Sequence, residues 1–247
     1  MTSRLRLMPY LLATAITTLS SIVVANNADA QDFAVAPVNV QLASGQAAAT
    51  LTVENRSDRP TSFQIRVFEW SEKDGQDQLV PTTAMVASPP LGTIESGGTQ
   101  LIRLVLRLRP AAKEATYRIW LDQIPSVEET GAVRMALRLS IPVFAEPDGR
   151  AGPDVHWRIV RKDGEVYLIG DNVGTKHETI RDLVLKAADG SVLKTDGNVS
   201  AHILAGGERS WHITATRRMP PPGSTVRLTV DTDGPSVDQP IAFPDGR

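Results

Sequence analysis

The chain has 247 residues, 41% hydrophobic and 22% charged, a globular composition with apolar material for one large or two smaller cores. Its 26 basic and 28 acidic side chains give a formal charge of -2, so there is no overall electrostatic preference for nucleic acid or an anionic membrane. Cysteine is absent, which excludes disulfide stapling, thiol catalysis and cysteine-ligated metals.

The first 30 residues read as a signal peptide. Arg4 and Arg6 form a basic start, Met8 to Ala25 are uncharged and mostly apolar, and Ala28-Asp29-Ala30 is a small-x-small cleavage site. Cleavage there starts the mature chain at Gln31. It removes two Arg and one Asp and moves the formal charge from -2 to -3.

Short strands with frequent turn signals follow, the pattern of an all-β chain built from immunoglobulin-like β-sandwiches. Phe33 to Val40 reads as an edge strand, because it contains Pro37. Ala49 to Glu54 and Thr61 to Trp70 alternate apolar and polar residues, with a polar turn at Asn55 to Pro60 between them. A turn at Lys73-Asp74-Gly75 leads to a weak strand within Leu79 to Met85 and an extended stretch at Val86 to Leu91. Gln100 to Leu108 and Ala115 to Ile124 are strong strands, and Val127 to Ala132 is a polar loop. Val133 to Phe144 closes the first unit.

Glu146 to Pro153 is polar and rich in Pro and Gly, which marks a domain boundary. The expected organisation is a leader (1–30), a first sandwich domain (31–147) and a second (148–247). Seven short strands are expected in the second domain between Val155 and Asp231, with turns such as Lys162-Asp163-Gly164 and Asp189-Gly190.

Val133 to Phe144 is the most informative segment. Val133, Met135, Leu137, Leu139, Ile141 and Val143 alternate with Arg134, Ala136, Arg138, Ser140 and Pro142. A period of two places the apolar set on one face. Taken alone, that is a core strand. The same alternation also suits a strand lent to a partner that lacks one, with the backbone supplying the ladder and the alternate side chains filling the partner's core.

Five stretches, in order, resemble the periplasmic pilus-assembly chaperones that work with outer-membrane ushers. They are ATLTVEN (Ala49–Asn55), GTQLIRLVL (Gly98–Leu106), YRIWLDQIP (Tyr117–Pro125), RLSIPVFAEP (Arg138–Pro147) and AHILAGGERSW (Ala201–Trp211). The resemblance implies a non-enzymatic chaperone that binds pilus subunits by donor-strand complementation and delivers them to an usher. It implies a donor strand carrying Val133, Met135, Leu137, Leu139 and Ile141, and no cofactor. Better-known members hold the subunit's terminal carboxylate with two basic residues, at positions that fall here on or beside Asn39 and on Pro142. Neither residue carries a positive charge to pair with a carboxylate. The departure, with the Tyr117-Arg118 pair, resembles the divergent archaic, spore-coat-U-associated branch. Arg103, Arg118 and Arg138 become the candidate anchors, Arg138 foremost because it lies on the donor strand. Each also suits a solvated strand position opposite an acid.

Catalytic and metal constellations are missing from the sequence. His156, His177, His202 and His212 lack ligand spacing, although His202 and His212 could meet across a hairpin. Trp70, Trp120, Trp157 and Trp211 are spread as core anchors would be. Neither a nucleic acid nor a small-molecule substrate is expected as a partner. Self-association through an exposed apolar edge is plausible on physical grounds. The alternative reading is a two-module immunoglobulin-like structural or adhesive surface protein. A pilus subunit would need a longer alternating extension than Gln31 to Pro37 offers.

Overall fold

Alternation with a period of two writes strands along the whole chain, and every regular element among the described residues is a β-strand. The structure, a computed structural model, describes residues 33–124, 136–196, 202–215 and 218–245. The expected leader and the donor positions Val133 and Met135 lie outside the described residues.

Ten strands build the first sandwich: β1 (Phe33–Ala36), β2 (Val40–Leu42), β3 (Ala48–Asn55), β4 (Thr61–Lys73), β5 (Gln76–Pro81), β6 (Met85–Ser88), β7 (Leu91–Ile94), β8 (Thr99–Leu106), β9 (Ala115–Ile124) and β10 (Arg138–Ala145). One sheet runs β1-β3-β8-β6, the other β2-β10-β9-β4-β5 with β7 also paired to β4. The single edge strand expected over Phe33 to Val40 is instead two. β1 pairs antiparallel with β3, and after Pro37 the chain crosses to the other sheet, where β2 lies parallel to β10. Proline has no N–H to give a ladder, so the break falls there. Inward side chains of alternate parity, among them Leu51, Val53, Phe63, Ile65, Ile102, Leu104, Ile119, Leu121, Ile141 and Val143, fill one core.

Eight strands build the second sandwich: β11 (Val155–Lys162), β12 (Glu165–Asn172), β13 (Glu178–Ala187), β14 (Val192–Thr195), β15 (His202–Ile203), β16 (Glu208–Ala215), β17 (Thr225–Thr232) and β18 (Val237–Ala242). They run β11-β12-β16-β14-β13-β17-β18, with β15 on β13, and the sheet folds until β18 nears β11. Leu168, Leu185, Trp211, Ile213, Val226 and Leu228 pack inside as a second core. The chain is therefore all-β with two immunoglobulin-like sandwiches, and its described residues pack as one unit.

Local chemistry sets the corners. Asp74-Gly75 and Asp163-Gly164 both have positive φ and close the β4–β5 and β11–β12 hairpins, as a two-residue primed turn requires. The same asparagine corner occurs once in each sandwich. Asn55 Nδ2 donates to the carbonyls of Arg59, Ile94 and Glu95, and its Oδ1 accepts the Ser57 N–H. Asn172 Nδ2 donates to the carbonyls of Lys176 and Ile203, and its Oδ1 accepts the N–H groups of Asp154 and Gly174. Each side chain satisfies the orphaned backbone groups of a chain reversal that has no ladder of its own.

Candidate functional site

β10 has unequal neighbours. On one side it pairs with β9 along its full length, from Arg138↔Asp122 to Ala145↔Ala115. On the other it pairs with β2 from Val143 to Ala145 alone. Among the described residues, the stretch Arg138–Pro142 therefore has one open edge, a row of backbone groups able to accept another strand. Burial follows the pairing. Arg138 and Ser140 are exposed, Leu139 is half-buried, and Ile141 to Ala145 are buried. Leu137, whose carbonyl accepts the Gln123 N–H, packs with Leu139 against the first core. The candidate donor positions that the structure describes thus run from a loosely covered end to a fixed one.

The outward face of this sheet holds the arginines. On β9, Tyr117, Ile119 and Leu121 point inward, so Arg118, Trp120 and Asp122 point outward. Arg138 and Arg66 both donate to the Asp122 carboxylate, Arg66 through Nη2 at 2.6 Å. Trp120 sits beneath both guanidiniums, with Cζ of Arg138 at 4.2 Å and of Arg66 at 5.1 Å from the ring. Burial pushes the Asp122 carboxyl up, but the two arginine hydrogen bonds outweigh it and hold the group below its ordinary value.

Arg118 is different. It lies beside Pro142 in register and stacks on the Trp70 ring, Cζ 3.7 Å from the centroid. Among the described residues it makes no hydrogen bond and no ion pair. Burial lowers its pKa from the ordinary value, partly offset by the charges of Asp77 and Glu72, yet an arginine stays charged at any physiological pH. Arg103 is not part of this constellation. It is exposed on the other sheet, between Thr50 and Ser88.

Below Arg118 the two sandwiches meet. Trp70, Phe144 and Leu204 form a cluster separate from both cores. Phe144 of β10 stacks on His177 with ring centroids 3.6 Å apart, and on His202 at 5.2 Å. Glu114 Oε2 accepts both the backbone N–H and Nδ1 of His177, and both side chains are almost fully buried. Glu72 accepts the Leu204 N–H at 3.0 Å and pairs with Arg209 at 2.6 Å, and Arg209 also reaches Asp77. Burial raises the Glu72 pKa, with Arg209 opposing. The absence of a side chain at Gly207 leaves room for the Glu72 carboxylate, which a Cβ there would displace. Lys176 pairs with Glu146 across the same seam.

Sequence reasoning missed Asp122, His177 and the seam role of His202, and misplaced Trp120. Trp157 and Trp211 do pack with the second core. Trp70 is buried outside the first core, and Trp120 faces outward. The parity of β9 carried the signal: a residue alternating with Tyr117, Ile119 and Leu121 cannot share their face. His202 and His212 are not hairpin neighbours, since His202 pairs with Thr179 and His212 with Tyr167.

Among the described residues, two sandwiches with an open edge on β10 offer the kind of sheet edge to which a strand of another chain can add. Residues 32–151 match the family model of the pili and flagellar-assembly chaperone, PapD N-terminal domain, so the first sandwich is a domain of that family. Among solved structures it is similar to a chain of the CsuC–CsuE chaperone–tip adhesion subunit pre-assembly complex from archaic chaperone–usher Csu pili of Acinetobacter baumannii. The identity is 20%, the TM-score 0.65, and the match covers 85% of this chain and 98% of that one. It is also similar to the YadV chaperone (17% identity, TM-score 0.62, 86% and 100% covered). A third match lies in the Salmonella enterica SafA pilin complex with the SafB chaperone (17% identity, TM-score 0.55, 86% and 95% covered). No protein of curated function is similar enough in sequence to match.

Proposed function

We propose that this chain is a periplasmic chaperone that captures pilus subunits by lending them β10 and delivers them to an outer-membrane usher. The observation that carries the reading is that, among the described residues, β10 has an open edge over Arg138–Pro142, beside an Arg118 guanidinium with no hydrogen-bonded partner. A subunit lacking one strand pairs its backbone with that edge. The alternate apolar residues before the fixed end of the donor strand, Val133, Met135, Leu137 and Leu139, enter its unfinished core, while Ile141 stays in this chain's own first core. Each apolar side chain so buried contributes on the order of 2 kcal/mol. The exchange is stoichiometric and needs no nucleotide or cofactor, because the subunit's own folding energy drives it.

Arg118, not Arg138, is the anchor for the subunit's terminal carboxylate. Among the described residues Arg118 has no hydrogen-bonded partner, so its guanidinium can take a carboxylate, whereas Arg138 is already engaged by Asp122. An anchor on β9 also explains why Asn39 and Pro142 can stand where better-known members carry basic residues. That departure, together with the likeness to the archaic Csu complex, supports placement in the archaic branch. The complexes with CsuE and with SafA pilin support pilus subunits as partners. Chaperones of this pathway are periplasmic. We read residues 1–30 as the leader, 31–147 as the donor-strand domain and 148–247 as the second sandwich.

The test is co-expression of the tagged chain with subunits from its own genomic neighbourhood, followed by periplasmic pull-down. A stoichiometric complex that is lost on Leu137→Glu and weakened on Arg118→Met is expected. A complex indifferent to both changes, or no partner at all, would overturn the reading in favour of a two-module surface protein.

A further inference from the structure

The beginning of β10 is the least supported part of the sheet that the donor strand must use. Among the described residues, over Arg138–Pro142 it has β9 on one side and no strand on the other. Its far end is held three ways: by β2, by burial of Ile141 to Ala145, and by Phe144 stacked on His177 and His202. At the near end, the side-chain tie to the sheet is Arg138 to Asp122.

That tie is built across three strands. Asp122 stands opposite Arg138 of β10 and opposite Gln64 of β4. One carboxylate oxygen takes Nε and Nη2 of Arg66, at 3.1 and 2.6 Å, and the other takes Nε of Arg138. Trp120 lies under both guanidiniums and against Phe68, ring centroids 4.5 Å apart. The Asp122 side chain is 15% exposed while its arginines are 40% and 50% exposed. A shielded carboxylate with two charge-assisted partners is the strong kind of surface ion pair.

We infer that Asp122 is a positioning residue for strand donation: through Arg138 it fixes where the donor segment leaves the sheet, and so the register in which a subunit is received. This rests on the proposed chaperone function. Asp122 does not touch the subunit in this account. By occupying Arg138 it also leaves Arg118 as the guanidinium open to the subunit's carboxylate.

The experiment uses the whole mature chain carrying Asp122→Asn, with Arg138→Met as a second variant that leaves the Arg66–Asp122 pair in place. Amide hydrogen exchange is followed in the free protein, and transfer of bound subunit to excess, differently tagged wild-type chaperone is followed in the complex. Both variants are expected to exchange faster over residues 136–141, on the order of tenfold, with 143–145 unchanged. Subunit transfer should accelerate by a similar factor while thermal unfolding shifts by no more than a few degrees. Arg138→Lys keeps a donor for Asp122 and should restore most of the retention. The inference is overturned if exchange over 136–141 and subunit retention stay at wild-type values. It is also overturned if exchange rises evenly across both sandwiches, which marks a general loss of stability. Failure of the function itself reads differently, because Leu137→Glu and Arg118→Met would then also leave capture intact.

Discussion

Asn55 and Asn172 are fully buried amides whose partners are all close to a chain reversal. Removing either leaves carbonyls and N–H groups unsatisfied in an apolar setting, at about 1–3 kcal/mol for each group stranded. Asn55→Ala and Asn172→Ala are each expected to lower the urea midpoint, and Asn172→Ala to act on the second sandwich. Fluorescence of Trp157 and Trp211, which pack with the second core, would report the latter. The first of these corners is visible in the sequence as a polar turn after ATLTVE, and its bonding is not. The same holds for the three arginines. Arg103, Arg118 and Arg138 all sit in alternating strands and look equivalent along the chain. What separates them is cross-strand register, which puts Asp122 opposite Arg138 and Pro142 opposite Arg118. Register is set by pairing partners far apart in sequence, so no local pattern could have chosen among them.

At the scale of the element, β10 changes character along its length. Ile141 is 4% exposed in the first core, and Ile141→Ala is expected to cost about 2–5 kcal/mol of stability. Leu139 is half-buried; Leu139→Glu should leave the sandwich folded, with a near-native near-ultraviolet spectrum, yet abolish subunit capture. Equal loss of folding in both variants would mean that Leu139 is ordinary core. The alternation from Val133 to Phe144 foretold a strand with one apolar face; Arg138–Ile141 alternates so, while from Ile141 to Ala145 both faces are buried. The alternation was silent on how far the strand is paired on its second side, because an edge and an interior strand carry the same period. The split of the first strand into β1 and β2 was half legible. Pro37 marked an irregularity, but a change of sheet is a tertiary event.

At the scale of the molecule, the proline- and glycine-rich stretch Glu146 to Pro153 marks the boundary expected between the sandwiches, and the seam beside it is well packed. Arg209 neutralises the fully buried Glu72. Arg209→Ala strands that carboxylate and is expected to cost about 3–5 kcal/mol, measured as a drop in unfolding temperature. His202 adds a pH dependence. Burial first, then the nearby His177, Arg118 and Arg209, lower its pKa to about 4, with Asp233 opposing. The unfolded chain, with its imidazole near 6.5, binds more protons than the folded one between those values. This contribution to stability is therefore full above that window and is lost as the pH falls through it, by up to about 3 kcal/mol. Chemical denaturation at pH 7 and pH 4.5 should differ less in His202→Gln than in the wild type; equal differences would remove His202 as the cause. Phe144 gives the seam a mechanical meaning. Its ring is gripped by two imidazoles of the second sandwich, while its backbone is part of the strand on offer to a partner. Strand and seam are therefore mechanically continuous: a load on β10 reaches the second sandwich through the Phe144 ring.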